Sequence, residues 1–335
     1  MQRKAIVVLG MHRSGTSAMS GSLCMAGVEL GPDPMQPTPD NPKGFFENQF
    51  ITDCSDEVLR LLGSCWDDPF PLPDGWHRNE ALAPVRQELT AYIRDRFPSG
   101  RVIGFKDPRL CLLLPFFQGI LGDLGVQPHF IIMLRNPAEI AESLMKRNGF
   151  SREKSLQLWM KHLFAAEHST RGFPRRAIRF DDLLAAPQET LRMISDSFGI
   201  PLTLPAKAHQ DPSADFLDPA LRHHVREPDS IACAFAVRCL HAFDRLAESD
   251  SADVQEQLDS LGQEFRELSG LFYSAEIRRN ASSVCGLPAA ERDDLRAAAG
   301  GQTCPVREEL NQIKGSRGWK LLGRYYRLKE FFRRA

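Results

Sequence analysis

The sequence lacks the features that mark several large functional classes. Its apolar runs are far shorter than the ~18 residues that a membrane-spanning helix needs. The first of them, Ala5 to Leu9, is also too short for a secretory signal. With 42 Lys and Arg against 43 Asp and Glu, it has no basic excess of the kind found in nucleic-acid-binding proteins. None of its 8 cysteines forms a CxxC pair or a zinc-type cluster with histidine, so we predict a cytoplasmic protein with mostly buried, free thiols.

What the sequence does contain is an alternation of strand and helix patterns. Short apolar runs bounded by turn residues predict strands at 4–9, 101–106, 129–134 and 176–180. Amphipathic patterns predict helices at 17–26, 46–62, 80–97, 110–124, 137–147, 153–170 and 187–198. This alternation indicates an α/β fold of the P-loop type, with three layers and a central parallel sheet. Ligands of such a fold bind at the carboxyl ends of the strands.

The pattern changes near residue 230, where the strand signals stop. Residues 231–280 are helical and acidic in pattern. We therefore predict a sheet-containing domain over residues 1–230 and a helical C-terminal region over residues 231–335.

The last segment, 314–335, predicts a basic amphipathic helix. It carries eight Lys and Arg against the single acid Glu330. Its apolar stripe is formed by Leu321, Tyr325, Leu328 and Phe332. Two interpretations remain open. The helix contacts an anionic membrane surface, which places the protein peripherally at the inner membrane, or it packs on the acidic helices predicted over 240–270.

The first chemical motif follows the first predicted strand. Gly10-Met-His-Arg-Ser-Gly-Thr-Ser17 has the spacing of a phosphate-binding loop, whose backbone N–H groups and following helix N-terminus face an anion. Thr16 replaces the lysine of nucleoside triphosphatases, and the loop's cation is Arg13. A kinase or GTPase without that lysine loses its main contact with the β- and γ-phosphates. The plain alternative is a structural turn that binds nothing.

A second cation, Arg135, ends the third predicted strand. Pro137 suits the first turn of the next helix, and Ser143 lies two turns further on. An arginine at the carboxyl end of a strand faces the ligand crevice, where its planar guanidinium suits a phosphate. A surface ion pair is the alternative. Glu139 and Glu142 on the same helix are expected to be solvated charges.

Two further segments supply candidate catalytic groups. Residues 41–48 follow a proline-rich loop and contain Glu47, which suits a base for a hydroxyl proton or, alternatively, a helix N-terminal charge. Lys106 ends the second predicted strand beside Asp107 and Arg109. Lys106 is placed to face a transferring group, whereas Asp107 and Arg109 suit either the site or a structural salt bridge.

These segments resemble the PAPS-dependent sulfotransferases, and the bacterial and carbohydrate-type branch in particular, over about residues 4–200. HRSGTS resembles the family's 5′-phosphosulfate loop, R-x-P-x5-S its 3′-phosphate site, and N-P-x-G-F-x-E the segment that carries its base. The residues that the resemblance assigns to the donor are Arg13, Ser14, Gly15, Thr16, Ser17, Arg135 and Ser143. Those that it assigns to catalysis are Glu47, Arg13 and Lys106.

The resemblance implies PAPS as sulfuryl donor, PAP as product and a hydroxyl-bearing acceptor, a glycan or glycolipid by analogy with that branch. No metal is expected, because a sulfuryl group carries less charge than a phosphoryl group, and the balanced charge of the chain predicts no nucleic-acid partner. Two rival hypotheses are a P-loop kinase for a small molecule and a non-catalytic nucleotide-binding protein. His12, inside the first motif, is the only histidine near these groups in sequence.

Overall fold

The computed structural model describes residues 3–37, 44–97, 100, 102–203 and 233–270. The predicted tail helix at 314–335 lies outside the described residues, as do its proposed membrane contact and the predicted domain boundary at residue 230. The first part of the glutamate-bearing segment, 41–43, is also outside them.

Four parallel strands form the central sheet of the described residues. They are β1 (Arg3–Leu9), β2 (Ile103–Lys106), β3 (Val126–Leu134) and β4 (Arg175–Arg179), in the order β2-β1-β3-β4. The chain passes from β1 to β2 on one side and then returns to the other side of β1 with β3. The strand order therefore reverses between β1 and β3, which is where such sheets bind ligands. The predicted α/β fold with a parallel sheet is confirmed.

Both faces of the sheet are buried, because successive residues of β1 enter two different cores. Ile6 and Val8 lie in a smaller core with residues from the helices that follow β1 and β4. Val7 and Leu9 lie in a larger core on the opposite face. An unbroken apolar run is typical of a parallel strand that is covered on both sides. This arrangement gives the three predicted layers.

The helices around the sheet agree closely with the sequence patterns. They are α1 (Thr16–Met25), α2 (Gln49–Leu61), α3 (Ala83–Arg96), α4 (Leu110–Asp123), α5 (Pro137–Asn148), α6 (Arg152–Thr170), α7 (Phe180–Ala185), α8 (Pro187–Phe198), α9 (Ala234–Glu248) and α10 (Ala252–Gly270). Short 3-10 turns at Trp76–Arg78 and Glu80–Leu82 precede α3. The prediction missed α7, since a helix this short shows no clear period. In the described part of the chain, no helix has both the length and the apolar character to cross a bilayer.

The two helices after the undescribed segment pack into the core of the sheet domain. Phe235, Cys239 and Phe243 of α9 are buried in the larger core. Phe164 of α6 contacts Phe243 at a ring-centroid distance of 5.3 Å and Phe265 of α10 at 5.7 Å. Aromatic contacts of this kind join α6, α9 and α10 into one packed unit. The predicted division of the chain into two domains stays a prediction.

A buried arginine ties this helical pair to the sheet. The Arg175 side chain, at the start of β4, is only 4% exposed. It donates to Glu167 Oε1 of α6 at 3.1 Å and to Asp250 Oδ2, between α9 and α10, at 2.7 Å. Glu167 is itself buried, so its charge depends on its arginine partners.

We expect Arg175→Met to lower the free energy of unfolding by about 2 kcal/mol, because it removes the charged hydrogen bonds of Arg175 while Arg171 still pairs with Glu167. Urea unfolding followed by circular dichroism measures the loss. Arg176→Met is the matched control, since Arg176 is exposed on the same strand and donates to Ser197 Oγ. Equal losses in the free energy of unfolding for the two variants would show that the buried contacts of Arg175 add no more stability than the surface contact of Arg176.

Six of the eight cysteines lie in the described residues, all as free thiols. Cys54, Cys111 and Cys239 are buried, as predicted. Cys65 and Cys233 are partly buried, and Cys24 is exposed on the solvent side of α1 despite its apolar sequence neighbours.

Candidate active site

The loop between β1 and α1 has the backbone of an anion cradle. Gly10, Arg13 and Gly15 have positive φ values of 147°, 72° and 90°. A Cβ atom at Gly15 would lie 2.2 Å from the Phe180 ring, so only glycine fits there. The Ser14 hydroxyl donates a hydrogen bond to the Met11 carbonyl of the same loop at 2.6 Å. Ser14 therefore stabilises the loop, and its predicted contact with a ligand stays a prediction.

The N-terminus of α1 points into this loop without a side-chain cap. Gly15 occupies the capping position and has no side chain to accept from the first helical N–H groups. The first N–H groups of any α-helix have no acceptor within the helix, and the macrodipole makes this end positive. Thr16 and Ser17 open the helix, so their N–H groups lie at that positive end. The arrangement suits a phosphate or sulfate group.

The structure brings the second predicted anion site against the first. Arg13 donates from Nε to Ser143 Oγ of α5 at 2.8 Å. Arg135, just after β3, donates from Nη1 to the Arg13 carbonyl at 2.9 Å. Its guanidinium carbon also lies 4.8 Å from the centre of the Phe180 ring. Two motifs more than a hundred residues apart thus form one cluster at the ends of β1 and β3.

The expectation for Glu139 from the sequence is wrong. This residue was expected to be a solvated helix charge, but its side chain is 0% exposed and accepts from Arg135 Nε at 2.9 Å. Glu139 lies in the buried first turn of α5, four residues after Arg135, and this spacing lets the two side chains meet. The alternative of an ion pair for Arg135 is therefore realised, although the pair is buried rather than on the surface.

Glu47 and Lys106 form a buried ion pair beside the loop. The Glu47 side chain is 4% exposed, and Lys106 Nζ donates to its Oε1. Lys106 also donates to the Phe45 carbonyl at 3.0 Å and to Ser17 Oγ at 3.3 Å. Lys106 therefore joins the glutamate segment to the first turn of α1. Glu47 Oε2 lies 3.9 Å from Arg109 Nη1, beyond hydrogen-bond distance, so this oxygen retains capacity to accept a proton.

Arg109 and Asp107 form the structural salt bridge that the sequence left open. Arg109 Nη1 lies 3.0 Å from Asp107 Oδ1, and Arg109 Nε lies 2.6 Å from Asp56 Oδ1 on α2. Asp56 was not predicted from the sequence, because a contact between distant segments leaves no local pattern. Among the described residues, no group of three or more His, Cys, Asp and Glu side chains suits a metal ion. The prediction of metal independence stays a prediction.

The family of the chain follows from a sequence comparison. Residues 5–204, which contain all of the candidate site residues and all of the sheet except the first two residues of β1, match the model of the sulfotransferase family. The chain belongs to this family. The predicted resemblance to sulfotransferases is confirmed, and the match covers the loop after β1, Glu47, Lys106 and Arg135.

Solved structures similar to this sulfotransferase include three other sulfotransferases. The sulfotransferase domain from the Synechococcus PCC 7002 olefin synthase is 16% identical over 78% of this chain and 94% of that chain, with a TM-score of 0.40. The sulfotransferase domain from the curacin biosynthetic pathway is 14% identical over 77% and 97%, with a TM-score of 0.37. The sulfotransferase from Alicyclobacillus acidocaldarius is 16% identical over 76% and 100%, with a TM-score of 0.37. No curated protein sequence matches the chain.

His12 lies in the phosphate loop of the sulfotransferase and packs on Trp66, with ring centroids 4.5 Å apart. Its Nε2 is buried and has no hydrogen-bond partner among the described residues. Burial and, next, the positive charge of Arg109 hold the pKa of His12 well below its usual range. The imidazole is therefore neutral at pH 7, but its low basicity makes His12 a weaker candidate base than Glu47.

His162 of α6 is fully buried, and we expect its titration to make the stability of the fold depend on pH. Its Nδ1 lies 2.7 Å from the Leu158 carbonyl, and its Nε2 has no hydrogen-bond partner among the described residues. Burial lowers the pKa of His162 from 6.5 to about 3. The folded protein therefore keeps this imidazole neutral at pH values where the unfolded chain protonates it.

Stability is lost as the pH falls from 6.5 toward 3, because only the unfolded state binds the proton in that window. Between pH 7 and pH 5, we expect His162 to account for a loss of about 2 kcal/mol in the free energy of unfolding. His162→Asn should reduce that pH dependence in urea unfolding at the two pH values. His241→Asn, at an exposed position of α9, should leave it as in wild type. An unchanged dependence in His162→Asn would refute the assignment.

Proposed function

We propose that this sulfotransferase moves the sulfuryl group of PAPS (3′-phosphoadenosine 5′-phosphosulfate) to a hydroxyl of an acceptor. The observation that carries the proposal is the single cluster formed by two anion-binding motifs at the ends of β1 and β3. A nucleotide with anionic groups at both its 5′ and 3′ ends has the matching chemistry.

The residues present fit such a donor. The cradle around Gly15, which a Cβ atom would fill, and the uncapped start of α1 suit the 5′-phosphosulfate group. In this proposal Arg13, Ser14, Gly15, Thr16 and Ser17 hold that group. Arg135 and Ser143 hold the 3′-phosphate. The contacts of Arg135 with Glu139 and the Arg13 carbonyl use two of the five N–H donors of its guanidinium.

When bound, PAPS supplies an activated sulfuryl group whose S–O bond to PAP breaks as a bond to the acceptor oxygen forms. Glu47 takes the proton of the acceptor hydroxyl, through Oε2, since Oε1 is held by Lys106. Lys106 and Arg13 hold the oxygens on which negative charge develops, and the N–H groups of the loop add to this stabilisation. Burial of the Glu47–Lys106 pair keeps water from weakening these interactions.

We further propose a glycan or glycolipid acceptor. Trp66, which packs on His12 at the loop, is a partly buried aromatic beside the site and offers the kind of surface on which a sugar ring packs. A cytoplasmic location is supported by the free thiols of the described cysteines, which persist in a reducing compartment.

A screen with sulfur-labelled PAPS tests this function. The full chain is incubated with labelled PAPS and with polysaccharide, oligosaccharide and lipid acceptors in the presence of EDTA. We expect label to transfer to a hydroxyl-bearing member of the glycan or glycolipid classes and PAP to form in equal amount. PAP formation without any labelled product would indicate hydrolysis only and would contradict the proposed transfer.

A further inference from the structure

Two arginines of the candidate donor site fix each other's segments. Arg13 reaches from the phosphate loop to Ser143 on α5, at 2.8 Å. Arg135 reaches in the opposite direction, from the end of β3 to the Arg13 carbonyl at 2.9 Å. Each half of the site therefore supplies a group that holds the other half in place.

The carbonyl that Arg135 holds belongs to a residue with an uncommon backbone conformation. Arg13 has a φ of 72°, in the left-handed region that residues with a Cβ atom seldom adopt. Such a conformation persists only when surrounding contacts hold it. Phe180 packs on Gly15 of the same loop and also lies under the Arg135 guanidinium. The shape of the loop therefore depends on where Arg135 lies.

Glu139 sets the position of Arg135. Its carboxylate is fully buried and accepts from Nε at 2.9 Å, at the base of the guanidinium. A contact at Nε orients the planar group and leaves the Nη1 edge directed at the Arg13 carbonyl. A buried carboxylate costs free energy unless it is paired, so its main contribution is the alignment of its partner.

We propose that Glu139 is a positioning residue of the donor site, which aligns Arg135 so that the 3′-phosphate subsite and the phosphate loop bind the donor as one unit. This inference rests on the proposed function. The proposed role of Glu139 has one consequence that would not follow if Arg135 only contacted the 3′-phosphate. Loss of Glu139 also weakens a nucleotide that occupies only the 5′ half of the site, because the loop loses the support of Arg135.

Isothermal titration of the full chain with PAP and with adenosine 5′-phosphate tests the inference. Glu139→Ala should weaken PAP by about 10- to 100-fold, the effect expected from losing a charged hydrogen bond. It should weaken adenosine 5′-phosphate by about 3- to 10-fold through the loop alone. Glu139→Gln should recover part of both losses, because its side-chain oxygen still accepts from Arg135 Nε.

Glu189→Gln is the matched control, since Glu189 pairs with Arg192 on the exposed surface of α8 and should leave both affinities unchanged. Unchanged or tighter PAP binding by folded Glu139 variants overturns the inference. A loss for PAP alone, with adenosine 5′-phosphate unaffected, overturns the link between the subsites. If circular dichroism shows Glu139→Ala unfolded, Glu139→Gln decides by the same criteria. Failure of the wild type to bind PAP contradicts the proposed function instead.

Discussion

Glu47→Gln is expected to lower kcat by ~10²–10⁴ while PAP affinity stays within about twofold of wild type. The substitution keeps the size of the side chain and an oxygen that faces Lys106, but it removes the proton acceptor. The measurement is steady-state transfer from PAPS to the acceptor found in the labelled screen, together with PAP titration. The kcat should fall without a matching rise in the KM for PAPS.

Glu57→Gln is the control for this experiment. Glu57 lies ten residues further along on α2, pairs with Arg60 at the surface and is not part of the site. Its kcat should equal that of wild type. Near-normal kcat in Glu47→Gln would show that Glu47 is not the base, and His12, the neutral histidine of the loop, would be tested next.

Arg135→Ala is expected to weaken PAP by at least about 100-fold, because it removes a charged, multiply bonded partner of the 3′-phosphate. The affinity for adenosine 5′-phosphate should fall by about 10-fold or less, because this ligand is affected only by loss of the Arg135 contact with the Arg13 carbonyl. Calorimetric titration of both ligands measures the two losses. Equal losses would contradict the assignment of Arg135 to the 3′-phosphate.

Two further variants make the Arg135 result interpretable. Arg135→Ala leaves the buried Glu139 carboxylate without this partner, which by itself destabilises the fold. The double variant Arg135→Ala/Glu139→Gln removes that buried negative charge as well and should show the same preference between the two ligands. Arg192→Ala, on the surface of α8, controls for the loss of an arginine and should bind both ligands as wild type does.

Much of the fold could be predicted because its signals are local. The apolar run of β1 and the periodic helices each lie within a few consecutive residues, and the motifs at the strand ends follow directly from them. The predicted helix boundaries were less accurate where a capping side chain sets the start of the helix. The helix predicted from residue 46 begins after Asn48, whose side chain accepts from the Ile51 N–H at 3.1 Å. The asparagine was visible in the sequence and is a common N-cap.

The candidate site was predicted as a set of residues but not as a set of contacts. Lys106 and Glu47 are 59 residues apart, and Arg109 and Asp56 are 53 apart, so no local pattern reveals that these pairs meet. The burial of Glu139 is different, because its four-residue spacing from Arg135 already allowed a helical contact. That signal was present and was interpreted as a solvated charge, because the sequence did not show that the first turn of α5 is buried.

The central claim is that the site binds a nucleotide with anionic groups at both its 5′ and 3′ ends. The most direct measurement is calorimetric titration of the wild-type chain with PAP in EDTA, and separately with ATP and Mg²⁺. We expect PAP to bind without metal and at least about 100-fold more tightly than ATP with Mg²⁺, because Arg135 meets the 3′-phosphate and the loop lacks the nucleotidase lysine. Tight binding of ATP with Mg²⁺ and no heat of binding with PAP would contradict the account and favour a kinase.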